Sequence, residues 1–384
     1  VNPVLTNSPP YSLAQFDAKK DAVRARGLKL YDFTLGDPKE PTPTFIRDAM
    51  IANIPSVSQY PTVAGRKSLR DAISGYFQRR FNLSVDPERE IIPASGAKEA
   101  VFHLPFAIID RDSEKRVVVW GEPGYPVYER GTAYAGGIGY AAPLRAERNF
   151  LLEPADIPED VLKSTCLFWL NYPHNPTGAV ADLAYFQRVV EASRKYGFIV
   201  AADETYADIY FREPPHSLLE VARENVLVLH SLSKRSGMTG YRSGFMAGDP
   251  KIIAALKKLR PSVGVASPEF VQAAAEAAWK DDAHVAERRA IFGQKREKVL
   301  AMCRELGLEA LDSGAGLYVW ITAPKGETGE SYAERLLEGG VVVSPGNAFG
   351  GPGEKYFRIA LVPLLNEFEA AMEAWRKAHG AKSA

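Results

Sequence analysis

Four short apolar runs restrict the fold of this chain more than any other feature: VVVW at 117–120, CLFWL at 166–170, FIVAA at 198–202 and VLVLH at 226–230. None alternates apolar with polar residues, so each reads as a strand buried on both faces. Helical patterns stand around them, at Lys98–Ile109, Leu183–Tyr196 and Ser217–Glu224. Strands of this kind separated by helices predict a parallel sheet covered on both sides, with right-handed crossovers.

From about Asp249 the texture changes. Helical stretches at Lys251–Leu259, Glu269–Lys280 and Asp281–Leu306 precede a strand pair near Leu317–Thr322 and Tyr356–Leu361, and an amphipathic helix at Asn366–His379 follows. A smaller α+β unit after a large α/β one is the expectation, as the 384-residue length suggests. Pro3, Pro9, Pro10, Pro38, Pro41 and Pro43 predict an extended arm at the start.

Charge excludes some functions. Lys plus Arg and Asp plus Glu both number 47, so no general electrostatic pull toward nucleic acid or an anionic membrane is expected, and an anion must be held by local geometry. Cys166 and Cys303 are too few for a disulfide framework or a zinc site, and they read as reduced core thiols; no metal is expected. No apolar stretch reaches a membrane span and the first residues show no signal peptide, so a cytoplasmic location is the expectation.

Four segments carry chemistry. In HSLSKRSGMTGYRSG (230–244) a buried strand runs into a polar turn with Ser231, Ser233, Lys234 and Arg242. Two hydroxyls and a guanidinium suit one phosphate, and burial beside cations favours the neutral, nucleophilic form of a lysine. In GFIVAADETYADIYF (197–211) an apolar strand ends in Asp203, at the carboxyl edge where open α/β sheets place ligands. Asp203 suits a protonated ring nitrogen, and equally a helix cap for the residues that follow. NYPHNPTG (171–178) holds Asn175 in a stiff loop or is ordinary turn chemistry. ASGAKEA (94–100) places Gly96 at the start of a helix whose free N–H groups suit phosphate.

In order along the chain, LGDP (35–38), SGAKEA, EPGYP (122–126), HNPTG, DETY, SLSK, GYRSG and FRIAL (357–361) together resemble the class I/II aminotransferases. The resemblance implies the pyridoxal-phosphate-dependent transferase fold type I. That fold is α/β: a large domain with a mostly parallel seven-stranded sheet between helices, and a smaller α+β domain. Residues 1–40 would form an arm and part of the small domain, 41–262 the large cofactor-binding domain and 263–384 the small domain.

The resemblance also implies roles. Lys234 would bind pyridoxal 5′-phosphate covalently and shuttle a proton. Asp203 would pair with the ring nitrogen, and Asn175 and Tyr206 would bind the phenolic oxygen. Tyr125 would stack on the ring, where several relatives have tryptophan. Gly96, Ala97, Lys98, Ser231, Ser233 and Arg242 would hold the phosphate; Ala97 stands where others have glycine or serine. Arg358 would grip the substrate α-carboxylate beside Gly36. Tyr60 would reach the phosphate of the neighbouring subunit in a homodimer.

Within the family, NPVLTNSPPYSL, LGDPKEPTP and SLSKRSGMTGYRSGFMAGD look like the N-succinyldiaminopimelate aminotransferases of lysine biosynthesis. Amino-acid and 2-oxo-acid substrates bearing a second carboxylate are then expected, with Lys39, Arg235 or Arg26 as the cation that meets it. Aspartate aminotransferase-like specificity is the alternative, and β-elimination another branch of the fold. A ligand-sensing module joined to a DNA-binding segment ranks below, since Val1 to Tyr31 is too short for a helix-turn-helix. A nicotinamide dehydrogenase also ranks below, since Gly136–Gly139 does not form a G-x-G-x-x-G turn.

Overall fold

A computed structural model describes residues 1–6, 14–311 and 314–380. Seven strands form the central sheet: β1 (Ile91–Ala94), β2 (Val117–Glu122), β3 (Ile138–Pro143), β4 (Thr165–Asn171), β5 (Ile199–Asp203), β6 (Val226–Ser231) and β7 (Gly244–Gly248). Their order is β1-β7-β6-β5-β4-β2-β3. β7 runs antiparallel to both its neighbours, and the other pairings are parallel. The fold is the α/β fold expected.

The three strands that lack a readable signal have physical reasons for it. β1 and β3 are the sheet edges, and each carries a proline, which an edge tolerates because one side makes no ladder hydrogen bonds. β3 is largely exposed, so no continuous apolar run marks it. β7 is GFMAG, whose glycines weaken its strand signal although every residue is buried.

Helix Leu183–Tyr196 shows how the covering layer is specified. The Asp182 carboxylate accepts the Tyr185 N–H at 2.7 Å to start it, and Gly197 at φ 71° ends it in the left-handed region. Tyr185, Phe186, Val189, Val190 and Ser193 form its buried face, while Arg194 and Lys195 lie in its last turn. Ser217–Glu224 does not form the expected helix. It closes as one turn, Leu218–Glu220, because the chain must bend through Asn225, at φ 57°, to enter β6.

The smaller unit is built on a three-stranded antiparallel sheet in which Tyr356–Ala360 lies between Ser344–Pro345 and Tyr318–Thr322. Its core gathers Phe33, Phe292, Val299, Tyr332, Phe357, Phe368 and Trp375. Helix Glu269–Lys280 instead sends Ala274, Ala275, Ala278 and Trp279 into the large core, against helices Thr44–Ala52 and Lys67–Phe81. The large core therefore extends beyond residue 262, and long helix Ala283–Glu305 leads to the small one.

The start of the chain is not a simple extended arm. Pro3–Thr6 and Ala14–Ala25 are helical, with Pro3 at a first-turn position that needs no N–H partner. Pro9 and Pro10 lie outside the described residues. Residues 37–43 do lack helix and strand, as the prolines there predict. Among the described residues no helix is long and apolar enough to cross a membrane.

Candidate active site

The carboxyl ends of β4, β5 and β6 and the start of β7 meet in one row. Asn171 pairs with Asp203, and Ser231 with Gly244, which in turn faces Ala94 at the end of β1. Above this row lies a cavity of about 280 Å³. Its floor comes from the large sheet and its far wall from Thr34, Leu35, Gly36, Tyr318, Phe349 and Arg358. An open α/β sheet binds ligands at this edge because the strand ends leave loop and helix N–H groups facing outward.

Most of the singled-out residues line this cavity: Gly36, Ala97, Lys98, Tyr125, Asn175, Asp203, Tyr206, Ser231, Ser233, Lys234, Arg242 and Arg358. Gly96 and Tyr60 are not part of the lining. Gly96 sits just behind it as the N-cap of helix Ala97–Ile108, at φ 86° and with no side-chain cap. The positive φ favours glycine, and a Cβ there would lie 2.7 Å from the Arg242 guanidinium and push it from its place. Tyr60 is fully exposed, with Ile51, Ile54 and Val57 exposed on the same stretch.

One corner is an anion cradle. The uncapped first turn at Ala97 and Lys98 presents N–H groups, and Ser231 and Ser233 add hydroxyls 3.0 Å apart. Arg242 is held at φ 53°, a costly conformation for a non-glycine residue, while its Nη1 donates to the Thr239 carbonyl at 2.9 Å. This set suits a phosphate in a chain of zero net charge.

Lys234 belongs to a single helical turn, Leu232–Arg235, that follows β6. Its amine donates to the Gly36 carbonyl across the cavity. Burial lowers its pKa to about 8; Arg242 and Arg358 push the same way and Asp37 opposes them.

Asp203 is buried at the end of β5, accepting from Thr205 N at 3.2 Å, Thr205 Oγ1 at 2.6 Å and Tyr128 Oη at 3.3 Å. Burial raises its pKa against these donors. No helix follows it, only a turn over 205–208, so the helix-cap reading is corrected to a turn cap. Asp203 forms no ion pair with lysine or arginine among the described residues. A buried carboxyl that lacks a cation suits a cationic ring nitrogen.

A ladder of amides joins Asp203 to Arg358. Asn171 Nδ2 donates to the Asp203 carbonyl at 2.8 Å, Asn175 N donates to Asn171 Oδ1 at 2.9 Å, and Arg358 Nη1 donates to Asn175 Oδ1 at 2.8 Å. The Asn175 oxygen is thus committed, and its NH₂ group remains as a donor. Arg358 is fully buried, its guanidinium 4.1 Å from the Tyr318 ring centre and 4.4 Å from that of Phe349. Nη2 donates to the Thr34 carbonyl, and Nε has no protein partner.

Tyr318, Phe349 and Tyr128 went unread in the sequence. Tyr318 donates or accepts with Tyr206 at 3.1 Å between hydroxyls, and a Cβ on Gly36 would lie 2.1 Å from its oxygen. The expected distal cations are not in the cavity wall. Arg235 is buried under Asp208 at 2.8 Å and Asp282 at 2.6 Å; Arg26 pairs with Glu338 at the surface, and Lys39 is exposed.

Comparison with known proteins agrees with this geometry. The family model for aminotransferase class I and II matches residues 29–373. An LL-diaminopimelate aminotransferase of Nitratidesulfovibrio vulgaris is 38% identical over 365 residues, 93% of each chain. A solved aminotransferase of Neisseria meningitidis is 33% identical, with a TM-score of 0.92 over 99% of this chain and 100% of that one. A solved probable N-succinyldiaminopimelate aminotransferase of Thermus thermophilus is 29% identical, with a TM-score of 0.87 over 95% and 99%.

Proposed function

The chain belongs to the class I and II aminotransferases, enzymes of pyridoxal 5′-phosphate, and from that premise we propose that it transaminates LL-diaminopimelate with 2-oxoglutarate as acceptor. The observation that carries the reading is one cavity in which Lys234, Asp203, the anion cradle and Arg358 face each other. The unsuccinylated substrate is favoured because the named relative at 38% identity acts on it. The succinylated substrate is the second reading, supported by likeness to the Thermus enzyme at 29%. Either places the reaction in lysine biosynthesis.

The cofactor supplies an electron sink at the substrate Cα. The residues of the chain do the rest. Gly96, Ala97, Lys98, Ser231, Ser233 and Arg242 would hold the phosphate. Tyr125, in the cavity lining, would stack on the ring. Asp203 would keep the ring nitrogen protonated, and Asn175 Nδ2 and Tyr206 Oη would donate to the phenolic oxygen. Lys234 Nζ would hold the cofactor covalently and would then carry the proton that leaves the substrate Cα. Arg358 holds the α-carboxylate in a two-pronged contact. A half-reaction screen tests the substrate: the holoenzyme is mixed with LL-diaminopimelate, its N-succinyl form, aspartate or alanine while cofactor absorbance is followed. A response to aspartate alone would overturn the diaminopimelate reading.

Arg358→Lys should lower kcat/KM by about tenfold to a few hundredfold, because charge-assisted contacts contribute ~1.5–3 kcal/mol each and ~1.4 kcal/mol is one decade. The loss should be similar for glutamate and alanine, since both present an α-carboxylate. A loss confined to glutamate would make Arg358 a distal-carboxylate selector instead.

The same reading makes the protein a two-fold dimer. The exposure of Tyr60 outside its own cavity, with Ile51, Ile54 and Val57 exposed on the same stretch, supports this reading, in which its hydroxyl would serve the partner's phosphate. Light scattering should give a dimer, and Tyr60→Phe should weaken cofactor retention about tenfold, the effect of one hydrogen bond to a charged group. An active monomer would contradict this.

A further inference from the structure

Arg358 forms no ion pair among the described residues, so its direction in the cavity depends on neutral acceptors: Asn175 Oδ1, the Thr34 carbonyl and, at 3.4 Å, Ser344 Oγ. What fixes Thr34 is therefore a question about substrate binding. The residue is braced from outside the cavity. Its N–H and its Oγ1 both donate to Asp32 Oδ1, at 2.8 and 2.5 Å, which closes a side-chain turn and holds the backbone and χ1 of Thr34. Ser344 Oγ reaches the same carbonyl at 3.4 Å. The following residue, Leu35, is exposed and packs too little to provide such a brace.

Asp32 is in turn held by Lys20. The Lys20 amine lies 3.1 Å from Asp32 Oδ2, and its side chain is 9% exposed. It comes from helix Ala14–Ala25; its neighbour Lys19, and Arg26 just past the helix, form exposed ion pairs with Glu334 and Glu338. Burial pushes the Asp32 carboxyl up, but the Thr34 donors and Lys20 outweigh it and hold it below the usual range. Asp32 and its neighbour Tyr31 pair with Val342 and Val341, which anchors the turn to the small core.

We propose that Lys20 and Asp32 are positioning residues for the α-carboxylate anchor: their ion pair fixes Thr34, and the Thr34 carbonyl aims Arg358. This rests on Arg358 being that anchor. Neither residue lines the cavity, so both act through Thr34. The common carboxylate of amino donors and oxo acceptors is the group whose affinity they set, whatever the rest of the substrate.

The test is steady-state kinetics of the holoenzyme with two amino donors and two oxo acceptors. Asp32→Ala should raise KM about tenfold for all four, with kcat changed less than about threefold and cofactor absorbance unaltered. Asp32→Asn, which keeps an acceptor oxygen, should recover most of the affinity, and Lys20→Met should raise KM about threefold. If Asp32→Ala does not fold, Thr34→Val removes only the hydroxyl donor at equal size and should reproduce part of the shared KM rise. In an Arg358→Lys background, Asp32→Ala should add little further loss. Normal KM values in Asp32→Ala or Thr34→Val beside a damaged Arg358→Lys enzyme would overturn the relay alone. A lower kcat or melting temperature at unchanged KM would also overturn it. An Arg358→Lys enzyme with normal KM would overturn the anchor itself.

Discussion

Lys234→Ala should leave a folded protein that no longer holds its cofactor covalently and turns over at least about a thousandfold more slowly. The reason is in the packing: the amine is buried at the end of β6, and burial beside Arg242 and Arg358 brings its pKa down to about 8. At pH 7 about a tenth of such amines are neutral, against roughly one in a few thousand for an ordinary lysine. Capture of the cofactor by the apoprotein should therefore speed up as pH rises through about 8 and level off above it. Stability has the same sign. Between about pH 8 and the ordinary 10.5, the unfolded chain carries more protons on this lysine than the folded one, so the apoprotein gains stability as pH rises there. Borohydride reduction and peptide mapping should put the label on Lys234. A label on another lysine, or turnover retained in Lys234→Ala, would end the assignment.

What could be read in the sequence was whatever depends on short stretches of chain. β2, β4, β5 and β6 announce themselves because strands buried on both faces must be apolar throughout. Leu183–Tyr196 and Glu269–Lys280 could be read end to end from their apolar spacing, the former helped by Asp182 and Gly197. Edge strands and the glycine-rich β7 carry no such mark. The cavity divides along the same line. Lys234, Asp203 and Asn175 stand at strand ends or in loops that directly follow a readable strand. Tyr318 and Phe349 reach the wall only through the fold of the small unit, and their segments look like any other strand and loop. Arg235 shows the reverse error, a cation beside Lys234 in sequence that the fold sends away from the cavity to Asp208 and Asp282.

Asp203→Asn should cost activity without costing the apoprotein stability. In the apoprotein the Asp203 carboxyl is buried and, among the described residues, unpaired with lysine or arginine, and burial raises its pKa above 3.8. A group with a raised folded pKa binds its proton more tightly in the folded state. Its ionisation therefore removes stability as pH rises through the folded pKa, and that penalty is absent below 3.8. Asparagine is close in shape, keeps an oxygen for the donors at Thr205, and carries no charge to bury. The apoprotein with Asp203→Asn should thus melt no lower than wild type near pH 7, and higher if much of the wild-type carboxyl is ionised there. The holoenzyme should show the opposite. Asparagine cannot keep a ring nitrogen protonated, and an unprotonated ring is a poor electron sink. kcat should fall by about two to four orders of magnitude, and the rise in melting temperature on adding cofactor should shrink. This trade of stability for function is what a buried charge kept for chemistry produces. Scanning calorimetry of both forms and one turnover assay decide it. A destabilised apoprotein with normal turnover would return Asp203 to the role of a turn cap.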